Sequence, residues 1–119
     1  MNPLENALFQ EEAGTAEPLL CIRTKTRIDA GRWWRSVPVW LCVVGDELTM
    51  FAVARRRYFE RIAIADCQST HYSHASGELV IEPAERLRLS RFAMSPREAL
   101  SVLKLIKKND KQTLTQTTT

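Results

Sequence analysis

The chain has 119 residues, of which 45% are hydrophobic and 26% charged, and this composition excludes disorder along its whole length. No apolar run approaches the roughly 20 residues that span a bilayer. The N-terminal residues do not contain a basic segment followed by an apolar one, so no secretory signal is predicted. Residues 1–17 carry a net charge of −4, whereas the remainder has 17 basic and 10 acidic residues, a net of +7. This asymmetry indicates an anionic partner or a contact between the two parts, and solvated surface charge is the simpler alternative.

The three cysteines are an odd number at wide spacings, which is not the pattern of a disulfide framework. Cys21, Cys42 and Cys67 each lie in an apolar, strand-like context, where a free cysteine usually behaves as a small buried hydrophobe. Such cysteine usage is typical of a reducing compartment. We therefore predict a cytoplasmic protein.

Residues 1–17 are predicted to form a short helix followed by a linker. Asn2 can cap the helix, Pro3 suits its first position, and Glu5 can complete a capping box. A helix of about ten residues is too short to be stable alone, so it must dock or fray. Its apolar face is predicted to consist of Leu4, Ala7 and Leu8.

From Leu19 onward the apolar pattern changes to a period of two, which predicts a strand that ends at the turn residues Asp29-Ala30-Gly31. The inner face of this strand is predicted to hold Leu20, Ile22, Thr24, Thr26 and Ile28. Val37–Val44 is nearly continuous in apolar residues, as expected of a strand covered on both sides or at a sheet crossover. Gly45-Asp46 signals a tight hairpin, and Leu48–Val53 is the returning strand.

Further strands are predicted at Tyr58–Thr70, Glu78–Glu82 and Arg86–Phe92. A seventh strand appears only if Tyr58–Ser73 divides near Asp66. A serine cap, a proline and a glutamate at Ser95-Pro96-Arg97-Glu98 predict the start of an amphipathic helix that runs to Lys108. Its apolar face is predicted to consist of Ala99, Leu100, Val102, Leu103 and Ile106. Residues 110–119 are predicted to be a disordered tail.

Three segments carry a resemblance to a known family. The stretch from Val37 to Leu48 is similar to a strand, a tight turn and a strand of the pleckstrin-homology (PH) fold, and Arg61–Cys67 is similar to its next strand. Gly77–Ile81 and the closing helix follow in the expected order, so residues 18–109 resemble the PH-like domains of bacterial proteins. The resemblance implies a mainly β fold (α+β by content), a bent antiparallel β-barrel of six or seven strands capped by one C-terminal α-helix.

The candidate ligand site is a basic cluster around the predicted first turn. It consists of Arg23, Lys25, Arg27, Arg32 and Arg35, with Trp33 and Trp34 between the last two arginines. Some PH domains bind phosphoinositide headgroups with basic residues at this turn, so the resemblance implies binding of an anionic membrane surface or a phosphate ligand. In the competing interpretation, Arg23, Lys25 and Arg27 form the solvated face of an edge strand, and Trp33 or Trp34 packs on the N-terminal segment or the closing helix.

Other patterns are weaker. Cys67, His71 and His74 could supply three zinc ligands, but no fourth ligand lies nearby. Strand alternation also points His74 to the side opposite Cys67 and His71, so no metal or cofactor is predicted. Arg55-Arg56-Arg57 has few aromatic neighbours for nucleic-acid binding, and no nucleophile motif or glycine-rich phosphate loop supports an enzyme.

The function predicted first is a non-enzymatic binding module for another protein or for a second copy of itself. It rests on an apparent excess of large aromatic residues for so small a barrel, namely Trp33, Trp34, Trp40 and Phe51. The alternative is an anionic-lipid or phosphate-ligand binder that acts through the basic cluster. In that case we expect peripheral association with the inner face of the membrane.

Overall fold

The computed structural model describes residues 1–14, 17–29, 36–53 and 57–118, with side chains described as far as Lys107. Within these residues the chain is mainly β, with two antiparallel sheets of four and three strands and a C-terminal helix. The chain divides into two compact units, Met1–Arg61 and Ile62–Thr119. The closure of the sheets into a barrel stays a prediction.

The first unit contains a helix and a four-stranded sheet. Helix α1 spans Pro3–Ala13, and the strands are β1 (Leu20–Asp29), β2 (Ser36–Val44), β3 (Glu47–Ala52) and β4 (Tyr58–Ala63). The strands lie side by side in chain order, so that β2 and β3 are the inner strands of this sheet. Gly45 makes the predicted tight turn between these two strands and has a φ of +59°, a conformation that glycine adopts without a steric penalty.

The alternation predicted for β1 is confirmed by its burial pattern. Ile22 and Thr24 are buried, whereas Arg23, Lys25 and Arg27 are exposed. The register against β2 shifts between Arg23 and Arg27, which marks a bulge or irregularity in β1. The alternation of buried and exposed side chains continues on both sides of this shift.

Strand β2 is covered on both faces, as its continuous apolar sequence predicted. Val39, Leu41 and Val43 on one face are completely buried, and Cys42 on the other face is completely buried as well. The second face is the one that α1 covers, because Leu8 and Phe9 of the helix form a core cluster with Cys42 and Phe51. The cluster is extended by half-buried side chains of Ala13, Cys21, Trp40, Val44, Val53 and Phe59.

Helix α1 begins at the predicted capping box, in which the Asn2 side chain accepts a hydrogen bond from the Glu5 backbone N–H and the Glu5 side chain accepts one from the Asn2 N–H, both at 2.8 Å. Its buried face differs from the predicted one. Leu4 is 68% exposed and Ala7 is exposed, whereas Leu8 and Phe9 are buried. The buried face thus lies on the Glu5–Leu8–Phe9 side of the helix, because Glu5 is itself buried against the sheet.

The second unit contains a three-stranded sheet and a helix. Its strands are β5 (His71–Ser73), β6 (Glu78–Val80) and β7 (Arg91–Ala93), and α2 spans Pro96–Thr118. A 3₁₀ helix at Ile64–Asp66 divides the stretch Tyr58–Ser73 into β4 and β5, as the seven-strand alternative predicts, and the described residues form seven strands.

The predicted strand Arg86–Phe92 is largely wrong. A 3₁₀ helix at Ala84–Arg86 follows Pro83, and β7 is confined to the last residues, where Phe92 pairs with Leu79 of β6. Leu87 and Leu89 show the period-two pattern of a strand but lie before β7 begins.

Helix α2 starts with the predicted capping box, in which the Glu98 N–H donates to Ser95 Oγ at 3.2 Å and the Ser95 N–H donates to Glu98 Oε1 at 3.1 Å. Ala99, Val102 and Ile106 are buried as predicted, but Leu100 is 52% exposed. The helix includes most of residues 110–119, and the disorder predicted for that tail stays a prediction. Among the described residues, no helix combines the length and apolar character that crossing a bilayer requires.

The docking of α1 predicts a sharp contrast between two leucines of the same helix. Leu8→Ala is expected to lower the free energy of unfolding by about 2–5 kcal/mol, because it leaves a cavity against Cys42 and Phe51. Leu4→Ala, at an exposed position, is expected to change it by less than about 0.5 kcal/mol. Urea unfolding followed by circular dichroism measures both. Equal effects of the two substitutions would contradict the docking of α1 through Leu8.

Candidate functional site

The structure places three residues of the predicted basic cluster together on the exposed side of β1. Arg23, Lys25 and Arg27 alternate with buried or half-buried side chains, and all three are solvent-exposed. The other members of the cluster, Arg32, Trp33, Trp34 and Arg35, lie outside the described residues. The described part of the candidate site is therefore the outer face of β1, which we call the basic face and define by Arg23, Lys25 and Arg27.

Arg27 is the most constrained base of the basic face. Its Nε donates to Ser36 Oγ at 2.8 Å and its Nη2 donates to the Ser36 carbonyl oxygen at 2.7 Å. These bonds hold the guanidinium next to the first residue of β2, and the Arg27 side chain remains exposed to solvent. Because an arginine has five N–H donors, the group retains donors for an anion after making both contacts.

Arg23 lies beside a surface cleft of about 310 Å³ between the start of α1 and strands β1 and β2. The cleft is lined by Met1, Asn2, Glu5, Arg23, Pro38 and Trp40. Arg23 and Trp40 are directly opposite each other in the β1–β2 register, so their side chains share one face of the sheet. The N-terminus of α1, where the helix dipole is positive, borders the same cleft. Arg23 and this dipole both favour an anion there.

Glu5 is the acidic group of the cleft, and both of its oxygens already accept hydrogen bonds. Oε1 accepts from the Asn2 N–H at 2.8 Å, and Oε2 accepts from Trp40 Nε1 at 2.6 Å. The side chain is almost completely buried, and it joins the helix cap to the sheet. The Glu5 carboxylate is thus held in a structural contact, whereas the Arg23 side chain at the same cleft is exposed to solvent.

The residues considered for a metal are held separately in the second unit. Cys67 is buried, and its Sγ contacts the Ile64 carbonyl oxygen at 3.6 Å. His71 is exposed with Nδ1 3.2 Å from the Ser69 carbonyl oxygen, and the His74 ring lies edge-on against Tyr72. In the part of the chain that the structure describes, no three His, Cys, Asp or Glu side chains are grouped to hold a metal ion.

Of the arginine triplet, only Arg57 is described, because Arg55 and Arg56 lie outside the described residues. Arg57 Nη1 forms an ion pair with Glu11 Oε2 at 2.7 Å, and both side chains are largely exposed. This contact joins the acidic N-terminal segment to the basic remainder of the first unit. Such an exposed pair contributes about 0–1 kcal/mol.

A larger cleft of about 660 Å³ lies in the second unit. It is lined by Ala65, Asp66, Gln68, Ser69, His71, Glu82, Pro83 and Glu85. Asp66 is 3.8 Å from the guanidinium of Arg86, and Glu82 accepts a hydrogen bond from the Ala84 N–H at 3.3 Å. Two of its three carboxylates are thus held by local contacts, and the cleft carries the opposite charge to the basic face.

Sequence reasoning missed Glu5 and Trp40 as neighbours of the basic cluster. The sequence predicts Glu5 as part of the helix cap, and nothing in its spacing indicates that its second oxygen contacts a residue 35 positions away. Pairing of β1 with β2 in the register that matches Cys21 with Cys42 would have placed Arg23 opposite Trp40. The register shift within β1 hides this match. If the pairing of Arg27 with Pro38 is extended along the strands without a shift, Arg23 lies opposite a residue other than Trp40.

Comparison with known proteins gives no relative from which the site can be transferred. No family model, no curated protein and no solved structure matches the chain.

The Glu5–Trp40 hydrogen bond predicts an energetic coupling between α1 and β2. In a double-mutant cycle of Glu5→Ala and Trp40→Phe, the coupling in the free energy of unfolding is expected to be about 1.5–3 kcal/mol, the range for a hydrogen bond to a charged group. Chemical denaturation of the four proteins measures it. The matched control is Glu12→Ala, an exposed acid of the same helix, which is expected to be additive with Trp40→Phe within about 0.5 kcal/mol. Additivity of the Glu5 cycle would contradict the coupling.

Proposed function

We propose that the chain is a non-enzymatic, PH-like binding module that takes an anionic, phosphate-bearing ligand on the basic face of β1. The observation that carries the proposal is the exposure of Arg23, Lys25 and Arg27 on one strand, next to the cleft at the start of α1. The seven strands followed by one helix support the PH-like part, because this is the element order that the resemblance implies. Closure of the two sheets into a bent barrel belongs to the same proposal.

The chemistry of the basic face suits phosphate. Arginine can donate two parallel hydrogen bonds to a phosphate, and lysine contributes a mobile point charge. Each base near an anionic membrane contributes about 1 kcal/mol, so the three described bases give weak, salt-sensitive binding. A lipid headgroup and a soluble phosphate ester offer the same chemistry to these side chains. With a lipid ligand, the module is a cytoplasmic protein peripheral to the inner face of the membrane.

Charge reversal on the basic face is expected to weaken binding to anionic vesicles. Lys25→Glu changes the local charge by two, so the apparent affinity for phosphatidylserine-containing vesicles is expected to fall by roughly 30-fold, which corresponds to about 2 kcal/mol. Co-sedimentation at low salt measures it. Lys104→Glu is the matched control, because it makes the same charge change at an exposed position of α2 and is expected to have a much smaller effect. Equal losses in the two variants would indicate a general charge effect and refute the basic face as the site.

Two further experiments distinguish recognition of an individual phosphate group from adhesion to a charged membrane surface. Inorganic phosphate and a soluble inositol phosphate are titrated against the protein while amide chemical shifts are recorded. Shifts at Arg23 and Lys25 with a soluble ligand, together with displacement of the protein from vesicles, indicate recognition of an individual headgroup or phosphate. Vesicle binding without such shifts indicates adhesion to the charged surface, which salt should abolish. Absence of both kinds of binding at low salt would exclude the proposal.

Association with a protein partner or a second copy is the second proposed function. The aromatic excess that suggested it is smaller than predicted, because Phe51 is buried and Trp40 is half-buried in the α1 cluster. The specific observation in its favour is the exposure of two large aliphatic side chains, Leu4 at 68% and Leu19 at 65%. Burial of such side chains between molecules favours association by an apolar contact that salt does not screen.

Gel filtration with light scattering tests the self-association part of the second proposed function. Self-association through Leu4 and Leu19 predicts a dimer or larger species that persists at high salt and is weakened in Leu4→Ser. Leu8→Ser is unsuitable for this test because Leu8 is buried in the α1 cluster. A monomer at every protein concentration and salt concentration would exclude self-association and leave only a different protein as partner.

A further inference from the structure

Two of the three cysteines lie directly opposite each other on neighbouring strands. Cys21 of β1 pairs with Cys42 of β2 in the antiparallel register, and both are free thiols. Directly opposed residues in such a pair have Cα atoms about 4.5–5.5 Å apart. This separation falls inside the roughly 4.4–6.8 Å range found in disulfides. Their side chains also share one face of the sheet, because opposed residues of an antiparallel pair point the same way.

We propose that Cys21 and Cys42 are a redox-active dithiol, a modification site that an oxidant converts into a cross-strand disulfide at the base of the β1–β2 hairpin. Cys67, the third cysteine, lies outside this pair in the second unit. The proposal does not rest on the ligand proposed for the basic face.

The two thiols differ in solvent exposure and in pKa, so one of them is expected to react with an oxidant before the other. Cys21 is half-buried and accessible to a small oxidant, whereas Cys42 is completely buried beneath Leu8 and Phe9 of α1. Hydrogen bonding with the Cys42 thiol lowers the pKa of Cys21, although burial acts in the opposite direction. The same interaction and burial raise the pKa of Cys42. The accessible sulfur is therefore the first to form a thiolate, and the thiolate is the nucleophile in disulfide exchange.

The exchange is balanced with a low-molecular-weight disulfide as oxidant, for example glutathione disulfide. The Cys21 thiolate attacks one sulfur of the oxidant, forms a mixed disulfide and releases a glutathione thiolate. That thiolate takes the proton of Cys42, whose sulfur then attacks Cys21 Sγ and releases the second glutathione. The second glutathione takes up the proton that Cys21 lost at the start. Two cysteines are oxidised to one disulfide, and one disulfide is reduced to two thiols.

The disulfide would close a loop that contains the predicted ligand site. The 20 residues between Cys21 and Cys42 include the basic face and the predicted turn residues Arg32, Trp33, Trp34 and Arg35. Closing this loop restricts the unfolded chain and ties the two strands together at the end that α1 covers. Oxidation is thus expected to raise the midpoint of thermal unfolding, and reduction is expected to reverse the rise.

Peptide mapping of the oxidised full chain tests the pairing without any substitution. Trypsin cuts after Arg23, Arg35 and Arg61, which places Cys21, Cys42 and Cys67 on three different peptides. After incubation with glutathione disulfide, the peptides of Cys21 and Cys42 are expected to be linked within one molecule, and titration should find one free thiol in place of three. A persistent glutathione adduct on Cys21, a bridge that includes Cys67, or a bridge between two molecules would each overturn the proposal.

A matched pair of variants adds a control for reactivity. Cys67→Ser retains the proposed pair, so it should form the same linked peptides at the wild-type rate and show the same rise in the unfolding midpoint. Cys21→Ser removes the accessible thiol and should form no intramolecular disulfide and show no rise. If Cys67→Ser loses the linked peptides while it remains folded, the assignment to Cys21 and Cys42 is wrong. Because Cys21 is only half-buried, replacing it with serine is expected to disturb the fold less than replacing the buried Cys42.

Discussion

Strand β2 has apolar side chains on both of its faces, so the first unit needs a cover on each side of its sheet. Residues 39, 41 and 43 require burial on one face, while Cys42 and its half-buried neighbours Trp40 and Val44 require it on the other. Helix α1 supplies the second cover. It is too short to be stable alone, so its own structure depends on the surface that it covers. Helix and strand are thus mutually dependent, although their sequences lie far apart in the chain.

The orientation of α1 follows from a polar contact as much as from apolar packing. Glu5 completes the helix cap with one oxygen and accepts the Trp40 N–H with the other, which places this side of the helix against the sheet. Leu8 and Phe9 then enter the core, and Leu4 is left in solvent. The same arrangement holds the Glu5 carboxylate, which borders the cleft beside Arg23, in a structural contact. The exposed side of β1 therefore carries three bases, Arg23, Lys25 and Arg27, and one acid, Asp29, at its end.

Prediction from the sequence succeeded where a local signal was sufficient. The alternation in β1, the Gly45 turn and the capping boxes at Asn2 and Ser95 each depend on a few neighbouring residues, and each is present in the structure. It failed where the outcome depends on a distant partner. The buried face of α1 was misassigned because the contact between Glu5 and Trp40 has no signature in either segment.

The strand predicted after Pro83 shows the same limit in the second unit. Leu87 and Leu89 have the period of a strand, but β6 offers only three residues for pairing, and β7 forms next to them at Arg91–Ala93. In the candidate site, the sequence identified the bases of β1, because charged residues alternating with apolar ones indicate an exposed face. It could not identify the cleft beside them, since the cleft is formed by two segments that meet only in the folded chain.

The two-sided burial of β2 also has a consequence for the folding and solubility of the chain. Residues 39–44 form an uncharged, strand-favouring segment of the kind that promotes aggregation when it is exposed, and it is flanked by Pro38 and by Gly45-Asp46. Because α1 docks on side chains of both β2 and β3, its binding surface is complete only after those strands have paired. Until then, and whenever α1 detaches, an apolar patch remains open to other molecules. In the folded chain, the N-terminal helix therefore covers part of an aggregation-prone segment and also contributes side chains to the core.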